Sequence, residues 1–173
     1  MTRINTIPPQ ALTDQHLLGE YNEILRPVKL CLKRLNKDSN GQFTNKEQDL
    51  KILYSDVPEH FKLGSGHVKF FYDKLQYLYK RLTLIKIEMQ NRDFKASKSL
   101  DISELPEYLC KDWRPSESDR RIIANRLKEK ILASDITWRY YGKPIDLEYF
   151  EYLESTIKER HTWAQGYDEI SDE

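Results

Sequence analysis

The sequence predicts an all-α fold: a compact single domain of about three main helices with long connecting loops, plus a C-terminal helical extension. Apolar residues recur at three- and four-residue intervals in separate stretches, the spacing of a buried helical face. No stretch alternates apolar and polar residues over a useful strand length, and no internal repeat is present. A chain of 173 residues is long enough for one real core, and a 12% aromatic content with eleven tyrosines supplies its bulk.

Residues 1–12 read as an arm, because Pro8-Pro9 cannot sit inside a helix. Thr13 or Asp14 is a sensible N-cap for a helix that buries Leu17, Leu18, Tyr21 and Ile24. Pro27 should kink or interrupt that helix, after which Val28, Leu30, Leu32 and Leu35 let it resume. Asn36–Gln48 is polar, carries Asn40-Gly41 and reads as a loop; residues 49–62 fit no single pattern. Leu63-Gly64-Ser65-Gly66-His67 opens the clearest helix, with Val68, Phe71, Tyr72, Leu75, Leu78, Leu82, Ile85 and Met89 as one stripe. Asp101–Pro115 is irregular. Ser116 with Asp119 caps a further helix whose apolar side holds Ile122, Ile123, Leu127 and Ile131. Thr137–Lys143 is aromatic and basic and ends at Gly142 and Pro144. Leu147, Phe150, Leu153 and Ile157 form the apolar side of a last helix.

Charge is unevenly spread. The totals of 28 basic and 28 acidic residues cancel, yet residues 146–173 carry nine acids against Lys158 and Arg160, leaving +7 on residues 1–145. A basic body with an acidic appendage fits a polyanion binder, with the appendage read as a solvated acidic helix. The division predicted is residues 1–145 for the working domain and 146–173 for the extension. No run of about 18 apolar residues exists and no basic-then-apolar leader opens the chain, so a cytoplasmic protein with no membrane partner is expected. Cys31 and Cys110 are single and distant, and read as reduced thiols. His16, His60, His67 and His161 show no ligand spacing, so neither a metal nor a cofactor is expected.

The chain begins Met1-Thr2-Arg3-Ile4-Asn5. Initiator methionine is normally removed before a residue as small as threonine, leaving the Thr2 α-amino group as the terminus. Such an amine titrates near ~7.7–8.0, against about 10.4 for lysine, so more of it is a free nucleophile at neutral pH. Amines of this kind form imines with sugar or carbonyl carbons. Glu20 and Glu23 are neighbours on one helix, with Arg26 a further turn along. By itself this trio reads as a solvated ionic face; beside an amine nucleophile, a carboxylate could stabilise positive charge or move protons.

Four ordered blocks carry a resemblance: the opening pentapeptide with Asp14-Gln15-His16-Leu17 and Glu20-Tyr21-Asn22-Glu23; Leu63 to Leu75; Arg126-Leu127-Lys128-Glu129-Lys130-Ile131; and Trp138-Arg139-Tyr140-Tyr141-Gly142-Lys143. Together they resemble the pyrimidine-dimer DNA glycosylase/AP lyase family of T-even phage. The resemblance implies that Thr2 is the nucleophile and Glu23 the catalytic glutamate. It implies DNA contacts from Arg3, His16, the Asn22 position, Arg26, Arg126, Lys130, Trp138, Arg139 and Lys143. It further implies base excision at ultraviolet pyrimidine dimers, imine formation, β-elimination and base flipping. The expected partner is lesion-bearing double-stranded DNA, bound by a monomer, with a phage or viral origin left open. Glycines 64 and 66 could admit a phosphate to a helix start, or could serve chain geometry alone. Asn22 departs from the family's arginine, which puts lesion choice in question. An enlarged 36–60 region is the second departure. The alternatives are an imine-forming glycosylase for another damaged base or for abasic sites, and a non-catalytic DNA-binding module.

Overall fold

The computed structural model describes residues 4–49 and 57–158. Its elements are a 3-10 turn at Pro9–Ala11, α1 (Asp14–Glu23), α2 (Arg26–Leu32), α3 (His67–Phe70), α4 (Leu75–Asn91), α5 (Glu117–Leu132), the strands β1 (Arg139–Tyr140) and β2 (Lys143–Pro144), and α6 (Leu147–Lys158). The fold is helical, as the periodicity predicts. No helix among the described residues is long and apolar enough to cross a membrane.

Thr13 is the cap of α1, its hydroxyl accepting the His16 amide. Pro27 lies in the first turn of α2, where its missing N–H leaves no bond unmade, so it starts a second helix after the break. The capping box at Ser116 and Asp119 is present in full. Ile123, Leu127 and Ile131 are buried, as expected. Ile122 is 38% exposed, because at about 100° per residue it falls nearly opposite the face shared by Arg120, Ile123, Ala124, Leu127 and Ile131.

The long helix read from Leu63 to Met89 is two helices. A 3-10 turn at Gly64–Gly66 leads into the four-residue α3, and the chain turns before α4 starts at Leu75. Phe70, Phe71 and Tyr72 are all buried, and three consecutive residues cannot share one helical face. Tertiary packing around Phe61 and Trp113 therefore breaks the helix: Phe70 and Phe71 both meet these rings edge-on. Lys111 N–H donates to the Asp73 carbonyl across the break. Gly66 serves close packing: a Cβ there would lie 2.6 Å from Lys62 Cε and 2.8 Å from Pro58 Cγ.

The arm from Ile4 to Leu12 runs through the core, with Ile4, Ile7, Ala11 and Leu12 fully buried. Helix α6 packs on α5 and this arm. Leu153 and Ile157 are fully buried, and Tyr149 O–H donates to the Ala11 carbonyl at 2.9 Å. Leu147 stays 80% exposed and Tyr149 takes its place in the core. Glu154 bridges to Arg121 and Lys128 of α5. The Lys128 ammonium, then Arg121, hold its carboxyl below the usual carboxylate range. Stability from this pair is therefore present above that range and is lost as pH falls through the lowered value. Glu154→Gln is expected to reduce the difference in unfolding free energy between pH 7 and pH 3 by under ~1 kcal/mol, because the site is solvated. Urea titrations at the two pH values check it.

Candidate active site

Helix α1 presents His16, Gly19 and Glu23 at positions i, i+3 and i+7, along one side about 10 Å long. His16 is buried, its Nδ1 2.9 Å from Thr13 Oγ1, and its ring stacks on Trp138 at 4.3 Å between centroids. Glu23 is partly exposed, with its side chain at 41%, and pairs with Arg26 at 3.4 Å. Asn22 and Arg26 are exposed. Between His16 and Glu23, a Cβ built on Gly19 would meet no atom within 4 Å, so the side of α1 is open there. A mid-helix glycine costs about 0.5–1 kcal/mol relative to alanine. Gly19→Ala is thus expected to stabilise the fold by about that amount, read as a rise in thermal midpoint.

Glu20, one turn before Glu23, behaves differently. The two are 60° apart around the helix, enough to straddle the boundary between core and solvent. Glu20 is fully buried and takes Arg81 in a bidentate pair, Nε to Oε1 at 2.9 Å and Nη2 to Oε2 at 2.8 Å. It is no member of a solvated face. Its carboxylate also accepts Asn5 N–H at 3.0 Å and Asn5 Nδ2 at 2.7 Å. Arg81 Nη1 donates to the Ile7 carbonyl at 2.6 Å and Tyr77 O–H to that of Asn5 at 3.1 Å. Burial drives the Tyr77 phenol well above its ordinary pKa, so it remains a neutral donor. Ile4 N–H donates to His67 Nε2 at 2.9 Å. The arm is thereby tied to α1, α3 and α4. Thr2 and Arg3 lie outside the described residues.

A second ionic cluster holds the aromatic-basic run. Arg92 donates to Glu88 at 2.7 Å and Asp14 at 2.9 Å, with both side-chain pairs at most 10% exposed. Burial alone would lower the Arg92 pKa, but Glu88 and Asp14 outweigh it and raise it. Asp14 in turn accepts the amides of Tyr141 and Gly142 at 3.2 and 2.8 Å. These two residues form the turn of the β1–β2 hairpin, with φ of 50° and 75°, the type I′ geometry that a two-residue turn needs. Tyr141 O–H donates to Glu88 at 2.6 Å, which offsets the strain of a left-handed non-glycine residue. Gln15 completes the attachment: its Nε2 donates to the Thr137 carbonyl and its Oε1 accepts the Arg139 amide.

The fold thus brings Trp138 and Arg139 to the start of α1, beside His16. Arg139 and Lys143 are exposed on the hairpin. Arg126 and Lys130 stand on a separate element, α5, where Arg126 pairs with Glu129 at 3.3 Å. Lys98, from the segment after α4, donates to the Tyr21 and Asn22 carbonyls at 2.7 and 2.9 Å, setting a cation beside Asn22 at the end of α1.

The structure adds Lys29, Lys33 and Lys37, which sequence reading passed over, to Arg26. Arg26, Lys29, Lys33 and Lys37 line a groove of about 680 Å³, with Leu30, Leu32 and Phe43 among its apolar walls. Lys37 Nζ lies 4.5 Å over the Phe43 ring, on a bridge between residues 37 and 43. The signal was available: no acid occurs between Glu23 and Asp38, while five lysines and arginines do. The model of the pyrimidine dimer DNA glycosylase family matches residues 1–102, more than half of the chain. The chain belongs to that family. The matched span includes Thr2, Arg3, His16, Asn22, Glu23, Arg26 and the α2 groove up to Phe43. Arg126, Lys130 and the hairpin lie beyond it. This glycosylase therefore has DNA as its partner, and pyrimidine dimers as the lesion its family removes.

Proposed function

We propose that the protein excises pyrimidine dimers from ultraviolet-damaged double-stranded DNA and then cleaves the abasic site by β-elimination, through an imine on the Thr2 α-amino group. One observation carries the reading: Glu20 clamps Asn5, and Glu23 stands one helical turn further along the same helix. Three virtual bonds of about 3.8 Å separate the Thr2 and Asn5 Cα atoms, so the terminal amine is tethered within about 11 Å of this anchor. Gly19 keeps that side of α1 free of a side chain, and the extruded nucleotide is placed against it.

In the reaction, the amine nitrogen attacks C1′ as the N-glycosidic bond breaks; the base takes the bonding electron pair and stays joined to its neighbour through the dimer. Loss of a proton from nitrogen and opening of the sugar give the imine. Abstraction of a C2′ proton then expels the 3′ phosphate oxygen, and water frees the enzyme. Glu23 stabilises positive charge at the sugar and moves protons in these steps. His16 and Trp138, stacked on each other, stand at the start of α1 beside the DNA, while Arg3, Asn22, Arg26, Arg126, Lys130, Arg139 and Lys143 hold DNA, its phosphates above all. Lys29, Lys33 and Lys37 extend that contact. Residues 1–145 carry the activity, and residues 146–173 form an extension whose helix braces α5.

Phosphate contacts release counterions, so binding should weaken steeply with salt. Lys29→Ala and Lys33→Ala are each expected to reduce the slope of log K against log salt by about one, measured by titrating an undamaged duplex at several salt concentrations. The reaction itself is tested on a duplex with a single thymine dimer. Strand breaks at the dimer without alkali are expected. Breaks only after alkali would leave a glycosylase without lyase action, and none at all would overturn the proposal.

A further inference from the structure

The side chain of His67 has two backbone partners whose chemistry fixes its state. An amide can only donate, so Nε2 must accept from Ile4 at 2.9 Å. Nδ1 then carries the proton and donates to the Lys62 carbonyl at 3.0 Å. The residue is 2% exposed, and its ring meets Phe61 and Phe71 edge-on at 5.4 and 5.5 Å. This is a neutral imidazole of one tautomer, held by packing, at the link between α3 and the arm. Ile4 is two residues from Thr2, whereas the Glu20 clamp begins only at Asn5. Among the described residues, the His67–Ile4 bond is the arm's attachment nearest to the chain start.

We infer that His67 is a positioning residue for the terminal amine: its Nε2 fixes the Ile4 amide and so narrows the volume that the Thr2 amine explores. The inference rests on the imine reading above. Proximity accounts for a large share of catalysis by a tethered nucleophile, and a misplacement of about 1 Å can cost up to ~10²-fold. His67 does not touch DNA or the reacting atoms; it acts through the backbone.

Two variants separate its two bonds. In His67→Asn the side-chain amide nitrogen can occupy the Nδ1 position and keep the Lys62 bond, leaving Ile4 N–H without its acceptor. In His67→Gln the side-chain oxygen can occupy the Nε2 position and keep the Ile4 bond. The full chain with Met1 removed is mixed with a duplex containing one abasic site, and the single-turnover rate of borohydride trapping is measured. Affinity is read on a duplex carrying a reduced, unreactive abasic site. His67→Asn is expected to slow trapping about tenfold with affinity within twofold of wild type, and to speed hydrogen exchange at the Ile4 amide. His67→Gln is expected to restore both rate and protection.

Trapping by His67→Asn at the wild-type rate, or a folded His67→Gln that fails to recover it, would overturn the inference. So would a rate loss that merely follows a loss of affinity. Should the Asn variant not fold, His67→Phe, which keeps the aromatic packing, takes its place with the same expected rate and exchange. A wild-type protein that forms no adduct at all would sink the imine reading itself, and is distinguishable from these outcomes.

Discussion

Glu23→Gln is expected to bind a dimer-containing duplex within about threefold of wild type, yet cleave the N-glycosidic bond at least ~10²-fold more slowly. The amide has nearly the same shape and keeps a hydrogen-bonding oxygen, but it has no charge to set against the cationic sugar and no proton to move. Its side chain is partly exposed and pairs with Arg26 at 3.4 Å, so substitution disturbs no core packing. Freeing Arg26 from a carboxylate should, if anything, favour phosphate binding. Strand breaks at the dimer after alkali, under single-turnover conditions, count N-glycosidic cleavage because the cut base stays joined to its neighbour through the dimer, and a binding titration alongside measures affinity. N-glycosidic cleavage at a comparable rate would refute the role given to Glu23.

Arg81→Met is expected to destabilise the fold by about 3–5 kcal/mol, because it leaves the buried Glu20 carboxylate without its cation. Both side chains are fully buried, so water cannot replace the lost partner. For a chain of this size that corresponds to a fall in thermal midpoint of roughly 10 °C. The Ile7 carbonyl loses its donor in the same step. Replacing both Glu20 and Arg81 by apolar residues should recover only part of the loss. The isolated charge is then gone, but the Asn5 amides are left without an acceptor. Thermal and denaturant unfolding of the single and double variants reads this directly. A midpoint unchanged by Arg81→Met would mean that the pair does not hold the arm.

The helical class and most caps were legible because they are local. Thr13, Ser116 with Asp119, and Pro27 each act within four residues of themselves. What was not legible depends on distant partners. Nothing in Glu20-Tyr21-Asn22-Glu23 distinguishes a buried carboxylate from a half-exposed one until Arg81 arrives from 61 residues away. The apolar stripe from Val68 to Met89 hides a break that follows from packing around Phe61 and Trp113. The aromatic-basic run became a hairpin because Asp14 and Glu88 hold a turn that the local sequence only permits. The nucleophile was read from the chemistry of a terminal amine together with the family resemblance, since Thr2 lies outside the described residues. The groove beside Arg26 was missed because its cations looked like ordinary surface charge until α2 and the bridge to Phe43 gathered them.

If the chain start performs the chemistry, the covalent adduct must lie on it, and trapping reads this most directly. The Met-processed protein is incubated with borohydride and two duplexes, one with a thymine dimer and one with an abasic site, and each adduct is mapped by peptide mass. The account predicts a covalent adduct on both duplexes, located on the peptide that begins at Thr2. An adduct on a lysine, or none on either duplex, would contradict it.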